Sequence, residues 1–309
     1  MGIGSLRFRL VLSAVVALGG CGGGSPAAER AVPRGAPGDV AASSVERQLR
    51  RLEQRHHGRV GAYAIDTGTG RVLGHRSDEL FPVLSTSKAM TAAAVLRKAR
   101  RSDPGLLDRV VRYTRGDLVA NSPVTEKHVG TGMTVADLCA AAITVSDNTA
   151  GNLLLRQIGG PAGLTAFYRS LGDPVSRLDR WETDLNVWRP GERRDTTAPA
   201  AYARDLRTLT LGTALAPADR DRLTGWMKAT TTGGARIRAG LPKGWTVADK
   251  TGTGPGYGTT NDVAVAWPPS GAPIVLVILT NRRAADGAAD EATVAETTAV
   301  LARGLGAAG

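Results

Sequence analysis

Ser85-Thr-Ser-Lys-Ala-Met-Thr-Ala-Ala-Ala-Val-Leu-Arg-Lys-Ala-Arg100 is the stretch from which the rest of the chain can be read. From Lys88 onward it is rich in strong helix formers, holds no Gly or Pro, and ends on cations that suit a helix C-terminus. Ser85 then stands at the N-terminus of that helix, where free backbone N–H groups and the helix dipole favour developing negative charge. Ser85 and Lys88 are three residues apart, so they share one helix face and the amine can reach the hydroxyl. Thr86, Met90, Ala93 and Val95 are expected to face a core, which makes this a buried central helix.

Two further motifs follow in order. Ser146-Asp147-Asn148 comes after the helical run Thr134 to Ile143, and Lys250-Thr251-Gly252 ends the strand-like run Trp245 to Asp249. Taken singly each is weak: Ser-x-x-Lys arises by chance, Ser-Asp-Asn is a common loop or cap tripeptide, and Lys-Thr-Gly is a plausible strand end. Their ordered conjunction, each in a fitting context, carries the weight. Together they supply a hydroxyl nucleophile, two lysines, a second hydroxyl and a side-chain amide, the parts needed to open an amide covalently without a histidine or a metal.

On these motifs the chain resembles the class A serine β-lactamases, which share them with penicillin-binding proteins. The resemblance runs from about Ser44 to Leu305 and extends to Ser122–His128, Met133–Cys139, Ala142–Thr149 and Thr259–Trp267. Arg180-Trp-Glu-Thr-Asp-Leu-Asn186 resembles the loop with which that family holds a hydrolytic water; a carboxylate at Glu182 can take its proton while Asn186 orients it. The resemblance pairs Arg180 with Asp195 to close the neck of the loop. It implies that Ser85 attacks the lactam carbonyl, with Lys88 and Glu182 as the disputed choices of acylation base. It further implies that Ser146 relays the proton to the departing nitrogen, and that Asn148 binds the acylamino side chain. Thr251 and Thr253, flanking Gly252, are implied to take the substrate carboxylate. The backbone N–H groups of Ser85 and Thr253 are implied to form the oxyanion hole. Lys250 adds positive field beside Ser146 and Lys88, which favours a neutral lysine fraction able to act as base.

The chain departs from the family pattern in several places. The strand after Lys-Thr-Gly reads Thr259-Thr260-Asn261 where many members carry a carboxylate-binding arginine, and Arg236 stands where others place a substitute. Its bland reading is a surface cation. Asn121 replaces an aromatic wall residue, and Leu84 stands where some carbapenem-hydrolysing members carry a Cys. Thr183 replaces the proline after the loop glutamate, at a position where a non-proline cis bond costs about 3 kcal/mol.

Composition fits an exported enzyme. The chain has 309 residues and a formal charge of +11, but its cations are scattered and no basic run is interleaved with aromatics, which argues against nucleic-acid binding. Arg7 and Arg9 precede an apolar stretch, Leu10 to Leu18, that is too short for a stable bilayer span and reads as a signal region. Leu18-Gly-Gly-Cys21 resembles a lipobox, so residues 1–20 are expected to be a lipoprotein signal peptide and Cys21 to be lipidated. Residues 21–43, rich in Gly, Pro, Ala and Arg, are expected to form a disordered tether with a reach of roughly 25 Å, holding the protein, a monomer, at the outer face of the cytoplasmic membrane. Cys139 reads as a buried free thiol. The four histidines offer no ligand set, so neither a metal nor another cofactor is expected.

Periodicity places an amphipathic helix after Ser44 and a hairpin over Val60–Ile65 and Val72–His75. A helical run follows to about Thr230, then strands at Asp262–Trp267 and Ile274–Thr280 and a last helix over Glu291–Arg303. The expected fold is α+β: an α/β sandwich with a five-stranded antiparallel sheet flanked by the terminal helices (44–84 and 231–309), interrupted by an all-α domain (85–230). Two readings compete with hydrolysis. A D-alanyl transpeptidase or carboxypeptidase shares the three motifs but not the Glu182 loop, and a β-lactam-binding sensor lipoprotein differs by slow deacylation.

Overall fold

The last strand shows why the sheet lies where it does. Along Ile274–Leu279 alternate residues enter two different cores: Ile274, Leu276 and Ile278 on one face, Val275, Val277 and Leu279 on the other. Side chains alternate across a strand, so an unbroken apolar run needs cover on both faces. The structure, a computed structural model, describes residues 37–307 in addition to Gly2.

The chain opens with α1 (Pro37–Arg55), β1 (Gly58–Asp66) and β2 (Val72–His75), followed by β3 (Phe81–Pro82). The central helix α2 (Ser87–Arg101) is entered through a 3-10 turn at Leu84–Thr86. Next come β4 (Val110–Val111), β5 (Met133–Thr134), α3 (Val135–Thr144), α4 (Asn148–Gln157) and α5 (Gly160–Ser170). β6 (Thr196–Thr197), α6 (Pro199–Thr210), α7 (Pro217–Lys228) and α8 (Ile237–Gly240) lead to β7 (Thr246–Thr253), β8 (Thr260–Trp267), β9 (Ile274–Arg282) and α9 (Glu291–Leu305).

The sheet is antiparallel with strand order β2-β1-β9-β8-β7. On one face Val45, Leu49 and Leu52 of α1 meet Val294 and Leu301 of α9 over Val60, Ala62 and Ala64. On the other face the core continues into the helices through Met90, Val95, Leu138, Leu154, Tyr202 and Leu206. α2 lies in the middle of this second core, with Met90, Ala92, Ala93 and Val95 fully covered.

Boundaries differ from the sequence reading in two places. α1 begins at Pro37, so residues 37–43, assigned to the tether, are helical; proline is suited to a helix's first turn, where its missing N–H goes unused. Gly2 apart, the expected signal peptide, the expected lipidation site Cys21 and the expected tether up to residue 36 lie outside the described residues. β7 runs through Lys250-Thr251-Gly252 instead of stopping before it, because pairing with β8 continues to Thr253↔Thr260. β7 is also an edge strand, so part of its backbone hydrogen-bonding capacity faces away from β8 toward the helices.

Candidate active site

The free edge of β7 and the N-terminal turn of α2 approach closely. A methyl group on Gly252 would come within 2.9 Å of Leu84 Cβ and 3.4 Å of Ser85 N, so glycine is what lets the strand lie against the turn that carries Ser85. Leu84 is held at φ 52° and Ser146 at φ 60°, left-handed conformations that few non-glycine residues adopt and that mark over-determined sites.

Lys88 is the centre of the cluster. Its Nζ lies 2.8 Å from Ser85 Oγ, 2.6 Å from Glu182 Oε1 and 2.6 Å from Asn148 Oδ1. These three short contacts match the three N–H bonds of an ammonium, with the Ser146 carbonyl oxygen farther off at 3.3 Å. Ser146 Oγ is farther, at 3.5 Å, and is held instead by Lys250 Nζ at 3.0 Å. The Lys88 stem fits because α4 has a glycine opposite: a Cβ on Gly151 would meet Lys88 Cε at 2.9 Å. Burial first, and then the Lys88 ammonium, push Lys250 well below the ordinary lysine range.

The segment carrying Glu182 reaches the site as a closed loop. Arg180 Nε lies 2.5 Å from Asp195 Oδ2, and the other oxygen of that carboxylate accepts from the N–H groups of Asp179 and Arg180. The Glu182–Thr183 peptide bond is cis. Ser85 Oγ donates to Glu182 Oε1 at 3.3 Å, and Asn186 Nδ2 donates to Glu182 Oε2 at 2.6 Å. Asn186 Oδ1 is buried without a protein partner, so it remains free to accept a hydrogen bond.

Arg236 is no surface cation: it is buried beneath β7 and β8, 5% exposed. Nε faces Glu291, Nη1 donates to the carbonyl oxygens of Gly252 and Asn261, and Nη2 donates to Thr253 Oγ1 at 2.7 Å. Of the five guanidinium N–H bonds, one on Nη2 remains. Thr251 Oγ1 is paired with Thr232 Oγ1 at 2.6 Å. Thus Ser85, Lys88, Ser146, Asn148, Glu182, Asn186, Lys250, Thr251, Gly252, Thr253 and Arg236 are gathered along one seam. Cys21 lies outside the described residues, and Cys139 is a buried thiol whose proton is held tightly by that burial.

Sequence reasoning missed Asn152 and Thr232. Asn152 Oδ1 accepts from Glu182 N and its Nδ2 donates to Glu182 O, both at 2.9 Å. Its position four residues after Asn148, on the same face of α4, was the available signal.

Fold and seam together define a serine acyl-transfer enzyme of the penicillin-recognising type, and comparison with known proteins narrows the class. Residues 44–303 match the β-lactamase enzyme family, and the chain belongs to that family, in its class A branch. It is 55% identical over 255 residues to the β-lactamase AST-1 of Nocardia asteroides, covering 82% of each chain. Among solved structures, a β-lactamase from Streptosporangium roseum is 61% identical with a TM-score of 0.85, over 86% of this chain and 99% of that one. An ancestral class A β-lactamase is 56% identical with a TM-score of 0.81, over 84% and 99%.

Proposed function

We propose that this enzyme hydrolyses the amide of penicillin- and cephalosporin-type β-lactams through an acyl-enzyme on Ser85, and thereby gives resistance to them. The observation that carries the reading is the placement of Lys88 Nζ between Ser85 Oγ and Glu182 Oε1. An ammonium that donates to Ser85 cannot accept its proton. Passing a proton to Glu182 frees Lys88 to do so, while the direct Ser85–Glu182 contact leaves the carboxylate as the other acceptor.

In this reading Ser85 Oγ attacks the lactam carbonyl, and the oxyanion is met by the N–H groups of Ser85 and Thr253. Ser146 hands its proton to the departing nitrogen and is resupplied from the lysines beside it. Thr251, Thr253 and the free N–H of Arg236 take the substrate carboxylate, and Asn148 takes the acylamino group. Water held by Glu182 and Asn186 then attacks the ester, its proton passing through Glu182 and returning to Ser85 as the acid product leaves. Sustained turnover of nitrocefin by the purified chain tests this; one stoichiometric burst followed by a stable Ser85 adduct overturns it in favour of a transpeptidase or sensor.

The address is a separate part of the proposal. A lipid on Cys21, with residues 1–20 removed, anchors the enzyme at the outer face of the membrane. Mass spectrometry from a lipoprotein-competent host should find diacylglycerol on Cys21, and Cys21→Ala should release active enzyme; an unmodified N-terminus well past Cys21 overturns it.

A further inference from the structure

Far from Ser85, the C-terminal ends of α2 and α4 and the start of α5 line an open cleft of about 540 Å³. Its charged lining is Arg97, Lys98, Arg101 and Arg156, and no carboxylate lines it. Arg156 is engaged by Asp117, but Arg97, Lys98 and Arg101 have no ion-pair partner among the described residues. Nearby arginines do pair: Arg100, on the same turn of α2 but facing away from the cleft, lies 3.0 Å from Asp219.

Arg97 and Arg101 are four residues apart on α2, so two like charges share one helix face, an arrangement that costs stability when nothing neutralises it. The Arg97 guanidinium is fixed in place, stacked 4.1 Å over the Phe167 ring and donating to Ser170 Oγ. Lys98 is drawn in by the carbonyl oxygen of Gln157 at 2.5 Å. Between these cations the wall is apolar, with Ala94, Ile158, Ala166 and Phe167. An anion relieves the repulsion, and planar guanidinium groups match the oxygens of a phosphate. The apolar wall selects a phosphate that carries a hydrocarbon or aromatic group.

We propose that this cleft binds a phosphate ester with an apolar substituent, the phosphate on Arg97, Lys98 and Arg101 and the substituent against Ile158 and the edge of Phe167. The ester group comes either from an anionic lipid or from a soluble compound. The cleft is roughly 20 Å along α2 from the nucleophile, so binding there can be read separately from turnover.

The test uses the full chain with Cys21→Ala, which removes any acyl anchor. Titration calorimetry with phenyl phosphate and with inorganic phosphate is set beside co-sedimentation with phosphatidylglycerol and phosphatidylcholine vesicles. Phenyl phosphate should bind about tenfold more tightly than inorganic phosphate. Arg97→Gln/Arg101→Gln should weaken binding about tenfold or more at unchanged nitrocefin turnover. Arg47→Gln/Arg51→Gln removes the same charge from exposed positions on α1 and should leave binding intact. Lys98→Gln gives the same readout should the double variant fail to fold. Binding to phosphatidylglycerol vesicles alone assigns a lipid source, and binding to phenyl phosphate alone a soluble one. Equal loss in both double variants, equal affinity for the two phosphates, or no binding to either probe overturns the proposal.

Discussion

Asn152 clamps the backbone of Glu182 from both sides, accepting from its N–H and donating to its carbonyl oxygen, each at 2.9 Å. The Arg180–Asn186 loop is therefore tied to α4 at the residue whose carboxylate faces Ser85, and Asn148 at the start of the same helix faces Lys88. Asn152→Ala should cost about 1–3 kcal/mol of stability, because two backbone groups lose their partner. Acyl-enzyme breakdown should slow more than its formation, since in the proposed cycle only the former rests on Glu182 alone. Stopped-flow acylation beside steady-state turnover measures the split; equal slowing of both steps contradicts it.

The two oxygens beside Lys88 should separate by substitution. Ser85→Ala should abolish both steps, whereas Glu182→Ala should still be acylated and then hold the product. Mass spectrometry after mixing with a penicillin should find a long-lived adduct on Ser85 in the second variant only. Near-normal turnover by Glu182→Ala would leave Lys88 as the base for both steps.

Arg236 has one N–H to spare beside Thr253 Oγ1. Arg236→Ala should raise KM for penicillins by the loss of a charge-assisted hydrogen bond, about 1.5–3 kcal/mol. It should also lower Tm, because two buried carbonyl oxygens lose their donor. Arg236→Lys should recover little, since an ammonium cannot reproduce the fork. An unchanged KM rules out a role in substrate binding.

A pH effect is expected away from the site. Asp205 of α6 is buried against Asp173 with one oxygen unpartnered. Burial, and then the Asp173 charge, push its carboxyl up to about 9 from an ordinary 3.8. The native state therefore keeps a proton that the unfolded chain releases, so stability falls as pH rises from the ordinary carboxylate range to about 9. The slope is at most about 1.4 kcal/mol per pH unit for one proton. Asp205→Asn, a neutral donor toward Asp173, should flatten that slope in urea titrations between pH 5 and 9. A slope unchanged from the parent excludes Asp205 as its source.

Local chemistry was legible in the sequence because it is local. Ser85 and Lys88 share a helix face by spacing alone, and the neighbouring runs Val60–Ile65 and Val72–His75 read as a hairpin. What could not be read depends on distant partners. The burial of Arg236 follows from β7 and β8 passing over it and from Glu291 beside it. The extension of β7 through Gly252 follows from its register with β8. Spacing puts Asn152 on the same face as Asn148, but its partner, a backbone unit thirty residues further along the chain, comes only from the fold.

The central pairing of the sheet joins the two ends of the described chain: Arg59 and Asn281 stand opposite one another across 222 residues. Such a sheet cannot close until the last strand has been made, and long-range pairings of this kind form slowly. Until then the edge of β1 has no neighbour, and neither core has its floor. A chain built this way completes its active site late, because β7, whose Lys250 holds Ser146, takes its place in the sheet only through β8 and β9.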